Sequence, residues 1–167
     1  MNILKSSRHS KITGDFGEAL VLYWLSKYGF ECARVDHTGI DLLARNPHTN
    51  EVMGISVKSR SRNTGREQTH MRIPGDDFAK VESACAAFGC TPYFAIVIDA
   101  AATIRVFLLT MEHLQTLCLT ETGASWRMSP KHLIRYVDDP NIKTFELRTS
   151  TPRWWQGEMV AEPEEME

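Results

Sequence analysis

The chain has 167 residues, 43% of them apolar and 24% charged, a mix that excludes collagen, coiled coil and wholesale disorder and predicts a single domain with a sizeable core. No apolar run approaches the roughly 20 residues of a membrane-spanning helix, and Lys5, Arg8 and Lys11 have no apolar segment behind them, which predicts a cytoplasmic protein with no secretory signal and no membrane partner. The net charge of −2 is uneven, because residues 158–167 hold five of the 21 acids and no base; the other 16 acids face 19 basic residues, so the predicted domain, 1–157, carries +3 and the tail reads as a flexible acidic end.

In chain order, residues 15–28 place Phe16, Ala19, Leu20, Tyr23, Trp24 and Leu25 at three- and four-residue spacings, predicting a helix with one buried stripe, capped by Thr13 or Asp15 and ended by Gly29. Residues 30–35 and 40–44 read as strands separated by a polar turn. A tight turn at 46–50 returns the chain as a third strand, 52–57, with Lys58 after it. Residues 59–75 are polar and weakly patterned, predicting a loop. Asp76 and Asp77 can cap a second helix whose Phe78, Val81, Ala84, Cys85 and Phe88 recur at helical spacing up to Gly89. Strands are predicted at 93–98, 103–109 and 142–147, with a brief helix at 111–117. The order implies an α/β fold, one central mixed sheet flanked by helices.

Asp41 stands inside an apolar strand, where an uncompensated carboxylate is costly to bury. Lys58 follows the apolar alternation of the return strand, and a hairpin brings the two opposite charges close. A structural ion pair at a sheet end accounts for this as well as a chemical site does. The stretch Gly39-Ile40-Asp41, followed by Ser56-Val57-Lys58, resembles the motif of the PD-(D/E)xK nucleases, with Gly39-Ile40-Asp41 standing for the PD and Ser56 for the (D/E). Gly14-Asp15-Phe16-Gly17-Glu18 is similar to the first helix of the subgroup holding archaeal Holliday-junction resolvases and Mrr-type restriction enzymes. The resemblance runs over residues 12–110.

It implies a restriction-endonuclease-like core, helix, three strands, helix, strand, and a metal-dependent endonuclease hydrolysing phosphodiester bonds, in DNA before RNA, with Mg²⁺ or Mn²⁺ as cofactor. Glu18, Asp41 and the Val57 carbonyl would hold the metal, and Lys58 would orient the attacking water or offset phosphate charge. Ser56 departs from the pattern, since a hydroxyl is a weaker Mg²⁺ ligand than a carboxylate and leaves the site one negative charge short. The same fold can therefore also serve as a catalytically degenerate nucleic-acid-binding or interaction protein. Asp36 is a further acid nearby, equally explained as a turn cap, and His37 reads as a turn residue at the edge of the site. A homodimer would let two sites meet two strands.

Between positions 58 and 72, Lys58, Arg60, Arg62, Arg66 and Arg72 stand against the single acid Glu67. Arg60, Arg62, Arg66 and, from the amino-terminal segment, Lys11 are the expected phosphate contacts, suited to positioning a nucleic acid without reading its sequence. A solvated basic loop explains the same charges. Trp154 and Trp155, beside Arg153, either stack on bases or pin the C-terminal segment to the core. Cys32, Cys85, Cys90 and Cys118 form no CxxC pair, which predicts reduced thiols and no zinc site.

Overall fold

The computed structural model describes residues 4–62 and 69–150. Helix α1 (His9–Lys27) leads into strands β1 (Glu31–His37), β2 (Ile40–Arg45) and β3 (Val52–Ser61). There follow β4 (His70–Pro74), α2 (Gly75–Phe88), β5 (Thr91–Ala100), β6 (Thr103–Thr110), α3 (Met111–Cys118), β7 (Leu119–Thr120), β8 (Gly123–Arg127), α4 (Pro130–Asp138) and β9 (Lys143–Arg148). The main sheet has the order β1-β2-β3-β5-β6-β9, and β4-β8-β7 form a small second sheet. Within the main sheet β3 and β5 pair in parallel and every other neighbouring pair is antiparallel, the mixed arrangement expected. A parallel pair needs a long crossover, and β4 with α2 supplies it.

Each face of the main sheet buries its own core. On one face Leu20, Val21, Trp24 and Leu25 of α1 cover Leu42, Ile55, Val97 and Val106, with Trp24 stacked on Phe145 at 5.4 Å. On the other, Phe78, Val81 and Cys85 of α2, Leu114 of α3, Leu133 and Tyr136 of α4 and Trp126 of the small sheet cover Phe94, Ile96, Ile98 and Phe107. No helix among the described residues is long and apolar enough to cross a membrane.

Three expectations are corrected. Helix α1 begins at His9, not near residue 15; Arg8 occupies the N-cap, Thr13 Oγ1 donates back to His9 O at 2.7 Å, and Asp15 pairs with Lys11 at 3.1 Å, so neither predicted cap acts. Its buried stripe is Gly17, Leu20, Val21, Trp24 and Leu25, while Phe16, Ala19 and Tyr23 face outward. Likewise the predicted loop is partly strand, since β3 runs on to Ser61 and β4 pairs with β8. Finally, Arg62 is only 5% exposed and donates from Nη1 to Met128 O at 3.2 Å, so it belongs to the interior and not to a phosphate-binding surface. Arg66, Trp154, Trp155 and the acidic tail lie outside the described residues.

Candidate active site

Asp41 sits where two strand ladders break off. On one side the β1–β2 register shifts between Arg34 and His37, an extra residue lying across from Asp41; such bulges bend a strand and re-aim its side chains. On the other, the β2–β3 ladder ends with Leu42 paired to Ile55. The Val57 N–H, left without a strand partner there, donates instead to Asp41 Oδ2 at 2.6 Å. In a strand the N–H and C=O of one residue leave by the same edge, so the Val57 carbonyl also faces this gap. Burial raises the Asp41 pKa above the ordinary carboxylate value; the Val57 N–H, Lys58 and Arg34 act against that rise, and Asp77 adds to it.

Glu18 reaches the same gap from α1. Gly17 permits this approach: a Cβ there would collide with the Ser59 Oγ of β3, so the helix lies closer to the strand than a larger residue allows unless Ser59 moves. Burial raises the Glu18 pKa, the negative charge of Asp41 raises it further, and Arg34, whose Nη2 lies 3.3 Å from Glu18 Oε2, opposes both. Arg34 Nη2 also donates to Asp15 O at 3.1 Å, tying β1 to α1. The sequence singled out Glu18 but not Arg34, whose spacing carries no signal.

Lys58 enters from β3, and its partner is unexpected. Its ammonium lies 2.8 Å from Asp77 Oδ2 on α2, with the two side chains 29% and 22% exposed, while Asp41 feels Lys58 only through space. The Asp41–Lys58 ion pair weighed from the sequence is thus replaced by Lys58 and Asp77. Neither Asp76 nor Asp77 caps α2, since Pro74 stands at the N-cap and no side chain closes it. Gly39 seats this helix: with φ +104, it faces the backbone of Lys80 and Val81 where a Cβ would clash.

Ser56 is buried at 3% exposure, in register with Phe94, and adds no charge. Asp36 is exposed in the β1 bulge. His37 bonds its neighbour Thr38 O at 2.9 Å and sits edge-on to Phe88 at 5.1 Å, which accounts for it structurally. Arg60 is exposed at the end of β3, beside a cavity that α1 lines with His9, Ile12, Thr13 and Phe16. Lys11 is exposed on α1, and Lys5 Nζ donates to Ser61 O at 2.6 Å, so the basic amino-terminal segment borders that strand end.

The structure therefore brings Glu18, Asp41, Val57 and Lys58 together and adds Arg34 and Asp77. Among the described residues no three His, Cys, Asp or Glu side chains gather in a way that could hold an ion. What remains is two mutually repelling acids and a strand carbonyl. That donor set fits a hard cation that keeps most of its water, the habit of Mg²⁺.

This arrangement, a mixed sheet whose hairpin opens at an acid and whose parallel crossover carries a helix over it, is the restriction-endonuclease-like fold. The match that carries this is Hjc, a Holliday junction resolvase of Archaeoglobus fulgidus, whose solved structure superposes with a TM-score of 0.52 at 22% identity, covering 68% of this chain and 88% of that one. No protein-family model and no curated protein matches this chain.

Proposed function

We propose that this chain is a divalent-metal-dependent nuclease that hydrolyses phosphodiester bonds in DNA. The observation that carries the reading is convergence: Asp41 takes the Val57 N–H at a break in the sheet, its charge reaches Glu18, 23 positions earlier on α1, and Lys58 acts on it from β3. Two carboxylates held in repulsion attract a cation, and Mg²⁺ or Mn²⁺ there would supply an acidified water and offset charge on the phosphate. Asp41 and Glu18 would hold the ion with the Val57 carbonyl. Lys58 would meet the negative charge that grows on the phosphate oxygens, and exposed Arg60 and Lys11 would hold the flanking backbone. DNA as substrate follows the resolvase-like fold; a homodimer would bring a second site to a second strand, and residues 1–157 would form the working domain.

A second reading rests on Ser56, which brings no carboxylate to its place in the motif: the same fold binds nucleic acid without cutting it. Incubation of branched and linear DNA with Mg²⁺ or Mn²⁺ separates the two. Metal-dependent products, lost in Asp41→Asn and in Lys58→Ala, support the nuclease. Intact DNA at saturating metal, with DNA affinity retained, supports the binding protein.

A further inference from the structure

We propose that Asp77 is the positioning residue for Lys58, supplying from α2 the negative charge that Ser56 does not bring to the site; the proposal rests on the nuclease reading. A lysine ammonium rides on a flexible four-carbon stem, and fixing it costs rotamer entropy. Here the fixing is done in advance, because Asp77 Oδ2 holds Nζ at 2.8 Å while the ammonium still acts on Asp41. The helix that carries Asp77 packs closely on the start of β2, where Gly39 faces the backbone of Lys80 and Val81. Lys80 Nζ, 3.9 Å from Asp77 Oδ1, is half-exposed and loosely held, so Lys58 is the carboxylate's principal partner.

Ser56, two positions before Lys58 on β3, is buried and carries no charge, so the carboxylate that meets the ammonium comes from α2.

The test compares wild type, Asp77→Asn and Asp77→Glu in single-turnover cleavage of a branched DNA, in binding of that DNA in chelator over a range of salt, and in thermal melting. Asp77→Asn is expected to cut about 10- to 100-fold more slowly at saturating DNA, the scale of a lost positioning contact. In chelator it should bind DNA more tightly, because the released Lys58 becomes a phosphate contact and steepens the log–log salt slope by about 0.9. Asp77→Glu should recover part of the rate. A purely structural pair predicts a lower melting temperature with unchanged saturated rate and salt slope, and that result overturns the assignment. An active wild type with an equally active Asp77→Asn sinks the Asp77 role alone, whereas an inactive wild type sinks the nuclease reading and this proposal with it.

Discussion

At Asp41 the demands of chemistry and of folding oppose one another. Burial lifts the pKa values of Asp41 and Glu18 above those of an unfolded chain, so the folded protein binds these protons more tightly than the unfolded one. By linkage, stability then falls as pH rises through the raised values, and the penalty is absent below the unfolded carboxylate value of about 3.9. Asp41→Asn should therefore melt above wild type at pH 7 in chelator, with the gain shrinking as the pH is lowered through the carboxylate range. A variant that melts lower than wild type at neutral pH would show that the Val57 N–H needs a full charge. The two arginines flanking Ser61 make a second test at this scale. Arg62→Ala removes the donor that Met128 O accepts from in the interior and should cost about 1–3 kcal/mol in denaturant melts. Arg60→Ala should leave stability alone and flatten the salt slope of DNA binding by about 0.9. The sequence set these neighbours in one basic cluster, because composition does not reveal which way a side chain at the end of a strand turns.

Among the elements, α1 and α2 matter most, since each delivers an acid to a gap that β2 and β3 open. Gly17 sets the approach of α1 to Ser59. Gly17→Ala should lower stability by about 1–3 kcal/mol through overpacking and cut activity with it. Adding Ser59→Gly removes the obstructing side chain and should restore most of both. If the double variant is no better than Gly17→Ala alone, the close approach is not what glycine serves. The helices and long strands were legible from spacing and from punctuation such as Gly89, which takes the left-handed turn after α2 at φ +64. The buried face of α1 differs from the predicted stripe because Phe16 and Tyr23 outweigh Gly17 on an apolar count, whereas the sheet takes the small residue inward. The sequence carries no signal for β4, β7, β8 and α4: the five residues of β4 sit in a polar, Arg-rich stretch, and the two residues of β7 are too few to show a period. From sequence Asp77 reads as a helix cap, because its partner Lys58 stands 19 positions away on a strand that spacing does not place beneath the helix.

For the whole molecule, the sheet order and the fold shared with Hjc explain why a motif with a serine in place of an acid could still be recognised: the geometry around Asp41 belongs to the strand arrangement, and the substituted position is one contributor among several. In this chain Arg34 pairs with Glu18 and Asp77 with Lys58, while Ser56 is buried and uncharged. A nuclease of this design must gather that cluster around a cation. The direct measurement is anomalous diffraction from crystals soaked in Mn²⁺. A peak in the gap between β2 and β3, with an Asp41 oxygen and the Val57 carbonyl among its ligands, is the predicted result. Crystals at saturating Mn²⁺ with no peak in that gap would contradict it.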